Sequence, residues 1–170
     1  MPSKPPLVDL ATLDLETFEA SGADLDKYLP QTGDMRQVDA IVKIDLEEQY
    51  AVAMKKVRED EFWCAGHFAG WPTMPGVIMI EAAAQLSTIF WRMNYNPEGL
   101  VMMFAGLENV RFRGSVHPPA TIYLVMRPIL LRLRMSRFNC QVISKGSVVC
   151  EAVIKGVLGP KPEITGMRGP

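Results

Sequence analysis

The sequence predicts an α+β domain in which a curled antiparallel sheet of about six strands wraps one long buried helix. Three observations point there. A single long stretch, Gly76 to Met93, has helical periodicity, and it is apolar on almost every face. Runs rich in β-branched and aromatic residues flank it, two before and four after. A flat sheet cannot bury one helix on all sides, so the sheet has to curl, and a second copy has to cover what stays open.

The elements follow in order. Residues 1–28 read as an N-terminal extension, with Pro2, Pro5 and Pro6 at a disordered start. Leu13 to Leu25 reads as a short helix or a docked arm, broken at Ser21-Gly22-Ala23-Asp24. From Val38 to Ile44 the even positions are apolar, as on a half-buried strand. Glu47-Glu48 marks a turn into a second strand over Tyr50, Val52, Met54 and Lys56, so the two form a hairpin. The helix opens after Pro75, whose missing N–H is not needed in a first turn, and stops at Asn94 to Gly99. Strands are expected over Leu100–Phe112, Ala120–Leu131, Arg134–Ile143 and Val148–Leu158, the last two joined by the turn Ser144 to Ser147. In Ile129 to Arg134 arginines alternate with leucines, as on a strand with one wet face. One domain is expected over 29–158, then a flexible Pro/Gly-rich tail over 159–170.

Composition narrows the function classes. The chain has 170 residues, enough for one domain with a sizeable core, and its 48% hydrophobic and 22% charged fractions are ordinary for globular proteins. A net charge of −1 gives no argument for nucleic acid or an acidic membrane surface. Three cysteines (Cys64, Cys140 and Cys150) do not make a secreted disulfide framework and read as reduced thiols of a cytoplasmic protein. The N-terminus lacks the apolar core of a signal peptide, and Glu81, Gln85 and Arg92 interrupt the best apolar run. No Gly-x-Ser-x-Gly elbow, phosphate loop or dinucleotide fingerprint occurs.

One segment concentrates the chemistry. His67 stands in a Gly/Pro-rich loop, Pro75-Gly76 opens the helix, and Glu81 is a carboxylate among Val77, Ile78, Met79, Ile80 and Ala82. Such a carboxylate has to be paired, hydrated or functional. An acid, a base and a helix N-terminus together are the parts of a proton-transfer site. Taken alone, His67 is a loop histidine bonding a carbonyl and Glu81 a partner for Arg92; Gly70 and Gly76 are turn glycines. Cys64-x-x-His67 has no second Cys/His pair near it, so no metal and no cofactor are assigned, and Cys64 reads as a small buried hydrophobe rather than a nucleophile.

The block His67-Phe68-x-Gly70-x-Pro72-x-x-Pro75-Gly76-Val77-x-x-x-Glu81-Ala82-x-Ala84-Gln85 resembles the signature of 3-hydroxyacyl-acyl-carrier-protein dehydratases, hot-dog-fold enzymes of type II fatty acid synthesis. Leu29-Pro30, Val38-Asp39 and Asn109 to Arg113 extend the resemblance, which covers roughly Leu29 to Leu158. It implies loss of water from a 3-hydroxyacyl thioester, with His67 as base, Glu81 as acid and the Gly76 N–H polarising the thioester carbonyl. Phe68, Gly70, Pro75, Val77 and Gln85 would bind substrate. The resemblance also implies a dyad shared across a homodimer, alone or in a hexamer built as a trimer of dimers. The substrate would ride on the pantetheine arm of an acyl carrier protein, or on coenzyme A.

The basic residues Arg111, Arg113, Arg132, Arg134 and Arg137 would attract that carrier, although each alone reads as part of a solvated strand face. Trp71, Phe90, Trp91, Met103 and Phe104 would line an acyl tunnel or pack the core. The chain departs from the pattern at Ala69, where the family has proline, at Gln31-Thr32, where it has His-Arg, and at Pro118-Pro119-Ala120, where it has Pro-Gly-Asp; His117 is an extra histidine beside that turn. A hot-dog thioesterase and a non-catalytic acyl-thioester binding module are the alternatives.

Overall fold

The helix occupies the middle of the chain, and the strands on either side of it close into a single sheet. The computed structural model describes residues 5–160. Its elements are β1 (Ala20–Ser21), β2 (Ala40–Asp45), β3 (Tyr50–Val57), α1 (Gly76–Tyr95), β4 (Leu100–Phe112), β5 (Ala120–Leu130), β6 (Met135–Ser144) and β7 (Ser147–Pro160). The strands lie in the order β1-β2-β3-β5-β6-β7-β4, and each neighbouring pair is antiparallel. The expected hairpins β2–β3 and β6–β7 form, the latter through Lys145 and Gly146 at φ 48° and 74°. The strand beyond the six expected is β1, two residues long.

The curl follows from what the helix has to bury. Met79, Ile80, Leu86, Ile89, Phe90 and Trp91 of α1 are all buried, on several faces at once. Ala51 and Ala53 of β3 lie against this core with no side chain beyond Cβ, which brings the sheet close to the helix. Pro75 precedes the helix in extended conformation, and Asn96 ends it in the left-handed region at φ 39° with its N–H on Arg92 O.

The even-numbered apolar positions of β2 do not share one face. The register slips between Ile41 and Lys43, so Ala40 and Val42 pack outward while Val38, Ile41 and Ile44 join the helix side. In β3 the larger residues Val52 and Met54 also face outward. That outer face is covered by the chain's own start. Val8 is buried there, with Leu7, Leu10, Leu13 and Leu15 packed around it. Gln141 holds the arm by its backbone, accepting from Leu7 N–H at 2.7 Å and donating to Pro5 O at 3.2 Å. Residues 5–28 thus form a docked arm with short 3-10 turns at Leu10–Thr12 and Gly22–Lys27. Pro2 lies outside the described residues.

Two boundaries differ from expectation. Strand β5 ends at Leu130, so Leu131 to Arg134 form the β5–β6 turn and not a strand face. The register slips at Pro128/Leu130, and the Ser136 hydroxyl closes the turn by bonding both Arg132 N–H and Arg132 O. At the other end β7 runs through Gly159 to Pro160, paired to Leu100 and Val101 of β4. Residues 161–170 lie outside the described residues.

A buried ion pair fixes where the chain leaves β3. Lys55 and Glu61 are almost without solvent contact, with Nζ–Oε1 at 2.9 Å, and the Arg58 N–H donates to the same oxygen at 3.3 Å. Removing one partner strands the other charge. Glu61→Leu is expected to lower stability by about 3–5 kcal/mol in urea unfolding, and Lys55→Met with Glu61→Leu to regain most of that loss.

Candidate active site

His67 sits in the connection from β3 to α1 and is clasped from two directions. Its own N–H donates to Trp63 O at 2.8 Å. Its carbonyl accepts from Thr73 N–H at 2.7 Å, while its ring Nδ1 lies 2.7 Å from Thr73 O. A carbonyl oxygen only accepts, so Nδ1 carries a proton, and a ring with a single proton presents a bare Nε2. Between these two residues the loop folds tightly, with Phe68 and Trp71 exchanging backbone hydrogen bonds and Gly70 at φ 75°, a conformation that glycine adopts without strain. Phe68 stacks on His67 at 4.3 Å. Met74 N–H, on Val116 O at 2.8 Å, pins the end of the loop to the β4–β5 connection.

The helix N-terminus opens onto the same cavity. His67, Pro75, Gly76, Val77, Phe112 and Ser115 all line it. No side chain caps the helix, and its first amides with an acceptor are Ile78 and Met79, both on Pro75 O. The N–H groups of Gly76 and Val77 remain for a ligand, at the end of the helix that favours negative charge. Gly76 is also a close approach: a Cβ there would meet the Phe112 ring at 2.5 Å.

Glu81 lies further along α1 and is not the carboxylate amid apolar neighbours that its local sequence suggests. Its Oε1 accepts from Gln85 Nε2 at 2.8 Å and from Gln31 Nε2 at 3.4 Å. Gln85 is completely buried and also bridges Met35 O at 2.6 Å and Gln37 N–H at 2.8 Å. A chain of amides thus fixes the carboxylate from the segment before β2. Glu81 lines a second cavity with Ser87, Thr88, Met102, Phe104 and Lys155, and no residue is common to this cavity and that of His67. Within one chain, the histidine and the carboxylate face different spaces.

The remaining candidates divide. Met103 and Phe104 line the Glu81 cavity, whereas Phe90 and Trp91 are core and Trp71 is exposed. Arg111 and Arg113 flank Phe112 in sequence but, unlike it, do not line the His67 cavity, and Arg113 is paired with Glu151. Arg137 pairs with Glu108 at 2.6 Å, and Lys155 pairs with the same carboxylate; these two cations hold Glu108 below the usual carboxylate range. Arg132 and Arg134 lie at the far end of α1, where Trp91 Nε1 donates to Arg132 O. The five arginines therefore do not form one patch. Cys64 is buried, its thiol pushed up by desolvation, and its Sγ donates to Arg58 O at 3.6 Å, which leaves no activated nucleophile there. Sequence does not distinguish Gln37, Thr73, Ser115 and Lys155: Gln37 and Lys155 act on Gln85 and Glu108, remote in the chain, while the contacts of Thr73 and Ser115 are short-range but arise from irregular loops with no periodic pattern.

A long helix enclosed by a curled antiparallel sheet defines the hot-dog class. Among solved structures the chain is similar to the dehydratase heterocomplex ApeI:P from Xenorhabdus doucetiae, with a TM-score of 0.67, 18% identity, and 81% of this chain and 91% of that one covered. It is also similar in fold to a hypothetical thioesterase with coenzyme A from Streptococcus pneumoniae, with a TM-score of 0.52, 11% identity, and 72% and 87% covered. In sequence, residues 29–153 match the FabA-like domain. The 3-hydroxyacyl-[acyl-carrier-protein] dehydratase FabZ of Geobacillus thermodenitrificans is 34% identical over 125 residues, 74% of this chain and 86% of the relative. That of Lawsonia intracellularis is 33% identical over 138 residues, 79% and 90%. The chain belongs to the FabA-like family, among its 3-hydroxyacyl-[acyl-carrier-protein] dehydratases.

Replacing Gln85 by leucine leaves Gln37 N–H, Met35 O and Glu81 without their shared partner. We expect Gln85→Leu to lower stability by about 1–3 kcal/mol for each group left buried and unpaired, read from urea unfolding.

Proposed function

We propose that this chain is a hydro-lyase of fatty acid biosynthesis that converts a 3-hydroxyacyl thioester, carried on acyl carrier protein, to the trans-2-enoyl thioester. The observation that carries the mechanism is that the clasped His67, with Nδ1 committed to Thr73 O, lines the same cavity as Gly76 with its unpaired amide. The thioester carbonyl accepts from Gly76 N–H, which acidifies the C2 proton, and His67 Nε2 removes that proton. Charge building on the carbonyl oxygen meets the helix N-terminus, and one such pre-aimed donor is worth about 3–4 kcal/mol. Glu81 serves the departing hydroxyl as acid, directly or through a water, to complete the loss of water.

Because His67 and Glu81 line separate cavities of one chain, the reading pairs His67 of one protomer with Glu81 of its partner. Strand β4 supports this. It is a sheet edge of 13 residues with Met103, Phe104, Leu107 and Phe112 exposed, the kind of edge that a second copy covers. The catalytic unit would then be a homodimer of the hot-dog domain 29–158, acting in the cytoplasm. Among the described residues no helix is long and apolar enough to cross a membrane. Arg111 and Arg113 do not line the His67 cavity but are the sequence neighbours of Phe112, which does, so the reading assigns the carrier's phosphate to them rather than to Arg132 and Arg134.

The test is complementation between two inactive proteins. His67→Ala and Glu81→Gln are each expected to abolish enoyl formation. Mixed, unfolded and refolded together in equal amounts, they are expected to recover roughly a quarter of wild-type activity, because half the random dimers are mixed and each holds one intact site. No recovery from well-folded mixed dimers argues for a dyad within one chain. Release of free thiol instead of enoyl product by the wild-type protein would make it a thioesterase.

A further inference from the structure

The loop that presents His67 has little packing of its own. Phe68, Ala69, Gly70 and Trp71 are all exposed, so polar contacts rather than burial must hold Thr73 O against the His67 ring. The contacts converge on the second histidine. His117 Nδ1 lies 2.9 Å from Pro72 O and 3.3 Å from Thr73 Oγ1, and its Nε2 lies 3.0 Å from Ser115 Oγ. Trp71 stacks on its ring at 5.0 Å between centroids, with 25° between planes. Pro72 O can only accept, so Nδ1 carries a proton here as well. The Thr73 hydroxyl donates to Trp71 O at 3.2 Å, which leaves its oxygen free to share that proton.

We propose that His117 is a positioning residue for His67. Resting on the dehydratase reading, the proposal assigns it three simultaneous grips around the base. The Nδ1–H holds the Pro72 carbonyl, one peptide before the Thr73 carbonyl that sets the tautomer of His67. The ring face anchors Trp71, the exposed turn of the loop. The Nε2 orients the hydroxyl of Ser115, which lines the His67 cavity. His117 does not itself line that cavity. It acts through Thr73 and Ser115, and its loss lets the loop carrying the Thr73 carbonyl drift, so that His67 loses its fixed orientation and single tautomer.

The chain has two histidines, so a His117 variant leaves His67 as the sole imidazole in a ¹⁵N spectrum. His117→Phe keeps a ring for Trp71 and removes the donor; His117→Asn keeps a donor for Pro72 O. In wild-type protein with neutral rings, His67 should show a single Nδ1–H tautomer. In His117→Phe it should show a mixture of tautomers, with kcat down roughly 10-fold, inside the ~10²-fold cost of a 1 Å misplacement, and KM nearly unchanged. His117→Asn should restore most of both signals. If His117→Phe does not fold, Trp71→Leu at the exposed turn should give the same tautomer mixing more weakly. An unchanged His67 spectrum in folded His117→Phe or Trp71→Leu protein, or equal losses in the Phe and Asn variants, overturns the proposal. The spectra decide it even if the wild-type protein forms no enoyl product, the result that would sink the dehydratase reading alone.

Discussion

The structure depends on one constraint: a helix that is apolar on nearly every face has to be enclosed. With only one such helix among the described residues, enclosure falls to the sheet, which sends β4 to the far edge beside β7 and pairs β3 with β5 across the segment that contains α1. The same enclosure leaves the N-terminus of α1 open at the surface, because its first amides have no partners to bury against. The site forms at that opening, where unpaired N–H groups, a clasped histidine and a glycine without Cβ meet. Packing on the helix therefore fixes the electrostatics of the site.

The two halves of the proposed chemistry are positioned by different means. His67 is set locally, by a loop that folds back six residues to Thr73. Glu81 is set from a distance, by amides on the segment before β2 that reach it through Gln31 and Gln85. These amides offer hydrogen-bond donors to a carboxylate that otherwise stands on a helix of Met, Ile and Ala. Their demand is strict, since every polar atom of Gln85 is committed. A half-satisfied network of this kind costs more than an apolar core in the same place.

Much of this was legible in the sequence, because the signals are local. The helix start at Gly76, the whole of β4 and the β6–β7 turn follow from periodicity, from Pro75 and from Ser144 to Ser147. The His67-to-Glu81 block carried the family. What did not show has non-local causes. The Gln31–Glu81 and Gln37–Gln85 contacts span 50 and 48 residues and have no periodic trace. The Leu-Arg alternation before Met135 reads as a strand, yet Ser136 turns it into a loop. Apolar residues on both faces of β3 have their reason in the N-terminal arm, remote in sequence, which covers the outer one.

The central claim is that His67 is the base acting at C2 of the thioester. Dehydration is reversible, so the most direct measurement is deuterium uptake at C2 when the protein equilibrates an enoyl thioester in D₂O with its 3-hydroxyacyl form. Wild-type protein is expected to place deuterium at C2, and folded His67→Ala protein to place none. Uptake by the variant at the wild-type rate would contradict the account, for the proton would then be moved by another group.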